Sequence, residues 1–126
     1  MYSIKTKDFI LDFTPGVDSI LIEVHCYGFS GLSCFDAEDF LIADFALQLK
    51  DMYEKLEGVA KIQDLYETDS YIEFAAQKTG HVLIKGIIIN GKCKHTQQLT
   101  FEYDVDQTYL KKFVSELVTD YSKYVE

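Results

Sequence analysis

The sequence predicts an α+β fold, an antiparallel sheet of about six strands with two helices packed on one face. Three observations carry this expectation. Leu99, Phe101, Tyr103 and Val105 alternate with Thr100, Glu102, Asp104 and Asp106, the two-residue period of a strand with one wet face. Immediately afterwards Leu110, Phe113, Val114, Leu117, Val118 and Tyr121 fall on a single helical stripe. The order along the chain is strands, a helix, a run of four strands and a second helix, which reads as α+β with antiparallel pairing.

The elements follow in order. Asp8-Phe-Ile-Leu-Asp-Phe13 is the first predicted strand, ending at Thr14-Pro-Gly16, where the only proline marks a turn. A long strand is expected over 19–35, bent at Gly28 and Gly31. A helix is expected over 37–56, with Asp36 as its cap, Asp39 at the third helical position and Glu38 beside it favouring the helix dipole. Its buried stripe reads Leu41, Phe45, Leu49, Met52 and Leu56, widened by Ile42 and Tyr53, and Gly58 is the expected stop. Strands follow near 59–66, 70–78, 81–90 and 94–105. Gly86-Ile-Ile-Ile89 is apolar on both faces, so its strand should be central and covered, with Ile84 and Ile88 buried. Asn90-Gly91 is a two-residue turn signal. Asp106 stands where its side chain can accept the free N–H groups at the start of the second helix, over 107–124.

At 126 residues the chain makes a single domain, 1–126, large enough to bury a core without disulfides or metal. Hydrophobic content of 48%, with 9 Tyr and 9 Phe, excludes disorder. No apolar run approaches a membrane span and the first residues lack the apolar core of a signal peptide, so a cytoplasmic location is expected. The three cysteines, Cys26, Cys34 and Cys93, show no C-x-x-C spacing and are expected to be reduced thiols. Cys26 alternates with Ile20, Ile22 and Val24 and reads as core. Cys93 lies between Lys92 and Lys94, where cations favour its thiolate.

All 12 basic residues are Lys, and the net charge is −9. The absence of Arg, the preferred fork for phosphate, and the negative charge both weigh against nucleic acid as a partner. Charge is also uneven: residues 19–58 carry 8 acids against 2 lysines, whereas 79–98 carry 3 lysines and no acid. A cationic partner on the first half is one reading, and a merely solubilising acidic surface is the other.

The face of the first helix opposite its apolar stripe carries Phe40, Asp44, Leu47, Asp51 and Glu54, spaced four, three, four and three. A large aromatic and a leucine among carboxylates make up a candidate protein-binding patch. The alternative is that Phe40 and Leu47 tuck under a neighbouring loop or helix. The far side of the second helix is polar and mixed in sign, and reads as solvated.

Catalytic chemistry finds little support. The three histidines, His25, His81 and His95, form no H-x-x-x-H or H-E-x-x-H pair. His25 and Cys26 could meet Cys93 and His95 as zinc ligands only if neighbouring strand residues shared a face, which they do not. His81 follows a glycine at a strand start, where packing or a turn hydrogen bond explains it. No G-x-S-x-G, P-loop or G-x-G-x-x-G is present. Asp104 and Asp106 share a wet face and could form a carboxylate pair, but the cap explains Asp106 better. No metal or cofactor is expected, and nothing points to an enzyme.

The wording Asp106-Gln-Thr-Tyr-Leu110 after an aromatic alternating strand resembles the WapI-type family of small bacterial immunity proteins. Leu56-Glu-Gly58-Val-Ala60 is similar to that family's helix exit into a strand, Gly80-His81-Val82 followed by Gly86 to its central strand, and Gly28-Phe-Ser-Gly31 to its bend before the first long helix. The resemblance runs from about residue 19 to the C-terminus. It departs at Asp18-Ser-Ile-Leu-Ile22, where the family usually opens the strand with Trp-Leu and this chain has no Trp. The resemblance implies an intracellular immunity protein that binds and blocks a cognate protein toxin, one that is basic and nuclease-like. An acidic inhibitor would meet such a toxin quickly, with the Phe40–Glu54 face as the docking surface. A non-enzymatic module for an unrelated protein or ligand is the other reading.

Overall fold

The structure is a computed structural model and describes residues 1–90 and 96–124. It contains eight strands and two α-helices: β1 (Tyr2–Lys5), β2 (Phe9–Gly16), β3 (Ser19–Cys26), β4 (Phe29–Asp36), α1 (Asp39–Lys55), β5 (Val59–Gln63), β6 (Tyr71–Ala76), β7 (His81–Asn90), β8 (Gln97–Asp106) and α2 (Lys111–Tyr121). The α+β class and the antiparallel pairing agree with expectation. The single sheet of about six strands does not. There are two four-stranded meanders, β1-β2-β3-β4 and β5-β6-β7-β8.

The division has a physical cause. Every strand within a sheet pairs with its chain neighbour, but β4 leads into α1, which carries the chain away before β5 begins. Each sheet then has one apolar face to bury, and both turn it toward the same core. Phe13 of the first sheet and Phe74 of the second each meet Phe45 of α1 and Phe113 of α2, with ring centroids 5.3–6.0 Å apart. The helices therefore cover both sheets at once. Edge-to-face and offset ring contacts of this kind add to the burial of the rings themselves.

Away from the helices the sheets close directly on one another. Gly31 of β4 makes this possible, because a Cβ there would sit 2.8 Å from Ile88 Cδ1 and 3.1 Å from Leu99 Cδ2. One serine hydroxyl crosses the seam to Ile89, and a second holds Ile89 from its own side. Ser33 Oγ donates to the Ile89 carbonyl at 2.7 Å, and Ser70 Oγ accepts from the Ile89 N–H at 3.0 Å. Ile89 lies past the last residue of β6 that pairs with β7, so the hydroxyls stand in for ladder bonds.

Several boundaries differ from expectation. β1 is an additional strand of four residues, with only Tyr2 and Ile4 turned inward. The strand expected over 19–35 is a hairpin, turning at Tyr27 and Gly28, both with positive φ, as a tight two-residue connection requires. β2 runs through Pro15 to Gly16, and the turn falls on Val17 and Asp18. Pro15 lies beyond the end of β1, so its missing N–H costs no bond on that side.

Asp36 does not cap α1. Glu38 occupies the N-cap position without a side-chain bond, and Asp39 is the first helical residue. The Asp36 backbone instead pairs with the 64–65 loop. Among the helix residues the buried set is Ile42, Ala43, Phe45, Ala46, Leu49 and Met52. Leu41 is half-buried and Leu56 exposed, because the two alanines admit α2 against this side and rotate the stripe toward it. α1 stops at Leu56 itself, in the left-handed conformation, with its N–H on the Met52 carbonyl at 2.8 Å.

Two further expectations hold in the main. Ile84 and Ile88 are buried and β7 is an inner strand, although Ile87 and Ile89 on its other face stay half-exposed. Asp106 accepts from the Thr108 N–H at 2.9 Å, capping a short 3-10 turn over Gln107–Leu110 that leads into α2. The turn expected at Asn90-Gly91, the first residues of the strand expected from 94, and Cys93 lie wholly or partly outside the described residues.

Candidate functional site

The outward face of α1 is built by the same periodicity that anchors its inward face. With Ile42, Phe45, Leu49 and Met52 fixed in the core, positions 40, 44, 47, 51 and 54 must point away. All five are exposed. Phe40 retains 54% and Leu47 40% of its accessible surface, so neither is tucked under a loop. The carboxylates around them are held by local contacts. Asp51 pairs with Lys55 one turn on at 2.9 Å, which raises the Lys55 ammonium pKa. Asp44 accepts from Gln48 Nε2 at 2.8 Å, and Gln48 Oε1 in turn accepts the Lys61 N–H of β5 at 3.1 Å. That chain of bonds ties the acidic face to the edge of the second sheet.

Leu47 stands at the mouth of a groove of about 260 Å³ between α1 and α2, lined also by Lys50, Val118 and Tyr121. Burial, with the nearby Asp39 carboxylate, pushes the Tyr121 phenol up to about 12, so it stays neutral and apolar in character at the groove floor. On the far side of α2, Tyr2 donates to Asp120 Oδ2 at 2.6 Å, and burial raises its phenol as well.

The residues weighed for catalysis separate into local pairs. His81 Nδ1 lies 2.9 Å from Asp104 Oδ1, His25 Nε2 lies 2.6 Å from Glu23 Oε2, and Asp106 serves its cap. Asp104 and Asp106 thus share no common task. Cys26 is buried, with Sγ 3.8 Å from the Glu102 carbonyl oxygen, on the opposite side of β3 from His25. Cys93 and His95 lie outside the described residues. Among the described residues no group of His, Cys, Asp or Glu is placed to hold a metal ion.

A second exposed apolar set was not expected. Tyr27 and Phe29 at the β3–β4 turn and Leu32 on β4 are all exposed. The signal was present in Cys26-Tyr-Gly-Phe29, a glycine-containing two-residue turn, but reading 19–35 as one strand concealed it.

Two antiparallel meanders closed by a helix pair, with an acidic outer helix face, define a small α+β protein. The model of the Immunity protein WapI-like family matches residues 17–125, from the turn after β2 almost to the C-terminus. The chain belongs to this family of immunity proteins. The missing Trp-Leu pair at the start of β3 does not remove it from the family. No curated protein and no solved structure matches the chain. No helix among the described residues is long and apolar enough to cross a membrane.

Proposed function

We propose that the protein acts in the cytoplasm as a non-enzymatic immunity protein, neutralising a basic, nuclease-type toxin by covering its active surface with the outer face of α1. Family membership supplies the immunity role. The observation that carries the choice of surface is the exposure of Phe40 and Leu47 among Asp44, Asp51 and Glu54. Exposed in the free protein, those two side chains contribute little to folding, yet can anchor an interface once water is excluded around them. The carboxylates would take the places of substrate phosphates, and the net charge of −9 would draw in a cationic toxin.

Co-expression with the cognate toxin domain tests the role, the expected outcome being restored growth. Phe40→Ala and Leu47→Ala test the surface. Each should weaken binding by about tenfold or more, the scale of an interface anchor, while the melting temperature barely changes. Asp44→Lys should hurt more than Asp44→Ala, because it adds repulsion to the loss of attraction. A large loss of stability with unchanged affinity would retire this face as the site.

A further inference from the structure

The two sheets have four edges, and three of them are closed to a further strand. β1 is only four residues long and ends in Lys5. β5 has its Lys61 N–H taken by Gln48 of α1. β8 is covered by the first sheet, where Cys26 of β3 lies against its Glu102 carbonyl and Thr6 reaches the Tyr103 hydroxyl. Short strands, charges and covering side chains are the usual protections of an exposed edge.

β4 lacks these protections from Phe29 to Phe35. It is eight residues long, Phe29-Ser-Gly-Leu-Ser-Cys-Phe-Asp36, without lysine or proline. In an antiparallel ladder alternate residues turn both N–H and C=O to the same side. Asp36 turns both away from β3, its N–H donating to Asp64 Oδ1 at 3.1 Å and its carbonyl accepting from Leu65 N at 3.0 Å. Counting back by twos, Ser30, Leu32 and Cys34 present their backbone groups to the same open side. No hydrogen bond from another element reaches those groups among the described residues.

A groove follows this edge. At one end a cavity of about 310 Å³ is lined by Asp36, Asp64 and Glu67 beside Leu21 and Leu32. At the other a cavity of about 390 Å³ is lined by Phe29, Leu32 and Leu99. We propose that the open edge of β4 receives an extended segment of the toxin as an added strand, with an apolar side chain on Phe29, Leu32 and Leu99 and a lysine or arginine among Asp36, Asp64 and Glu67. Backbone pairing supplies the attachment and the two cavities select the side chains. Charge decides the occupant: a second copy would bring its own Asp36, Glu67 and net charge of −9 against their images, whereas a cationic segment is attracted. The proposal rests on the immunity reading only for the source of the segment.

The edge is tested without the toxin. The ¹⁵N-labelled full chain is titrated with acetylated, amidated peptides of alternating Val and Thr bearing a terminal Lys. One control carries Glu in place of Lys, and another is N-methylated at alternate residues. The lysine peptide should give saturable shifts and slowed exchange at the Ser30, Leu32 and Cys34 amides. The glutamate peptide should bind about tenfold more weakly, and the N-methylated peptide should not bind. Leu32→Pro should abolish the shifts while leaving the melting temperature nearly unchanged, because that N–H makes no ladder bond to β3. Leu32→Lys keeps the donor and should narrow the preference for the lysine over the glutamate peptide while both still bind at the same amides; it decides the matter if the proline variant fails to fold. Absence of saturable shifts at these amides, or equal binding of all three peptides, overturns the proposal. So does protection of the amides that grows with protein concentration, which would make a second copy the occupant. Failure of co-expression rescue would instead count against the immunity reading.

Discussion

Asp106 shows how one side chain can serve the fold and leave a measurable electrostatic trace. Its carboxylate accepts from the Thr108 backbone N–H, and the Thr108 hydroxyl adds to this, so its pKa lies below the usual carboxylate range. A lowered folded-state pKa means the stabilisation is present at neutral pH and disappears as the pH falls through that pKa. Asp106→Ala should therefore lower the melting temperature by a few degrees at pH 7 through loss of the cap, and the gap should close on acidification. Thermal melts of both proteins from pH 7 to pH 2.5 check this. A variant that melts like the parent yet loses toxin binding would make Asp106 a contact residue instead.

At the scale of the elements, Gly86 has the least room of the described glycines. A Cβ there would fall well inside contact distance of the Tyr71 carbonyl oxygen, and within about 3 Å of Ile72 and Phe101. The obstacle is backbone in the neighbouring strand, which cannot rotate away. Gly86→Ala should cost about 3 kcal/mol, the upper part of the usual range for overpacking, read as a lower urea midpoint. The amphipathic stripe of α2, the inward alternation of β8 and the cap between them were legible because each depends on local sequence alone. The outward set of α1 was legible for the same reason. What escaped depends on tertiary contact. The stripe of α1 rotates because α2 packs on Ala43 and Ala46, and Asp36 leaves its capping role because Asp64 and Leu65 claim its backbone. The chain was also read as one sheet, since nothing local says that β4 and β5, on either side of a helix, fail to meet.

For the molecule as a whole, the charge of −9 should act mainly on encounter. Association with a basic toxin should slow steeply as salt is raised, while dissociation changes little, because screening acts on the long-range attraction before contact. Stopped-flow measurement from low to high ionic strength checks this, and a salt-independent association rate would remove the steering argument. The seam at Ile89 has a different consequence. Chain segments 1–36 and 59–106 each complete a sheet by pairing neighbours, whereas between them run only scattered contacts among the described residues: Ser33 to the Ile89 carbonyl, the Asp36 backbone to the 64–65 loop, Cys26 to the Glu102 carbonyl, Thr6 with the Tyr103 hydroxyl, and close packing around Gly31. Contacts close in sequence form early, since little loop entropy is lost in making them. Each meander can therefore assemble as its own cooperative unit, with α1 as the tether, and the late event in folding becomes the docking of two preformed halves.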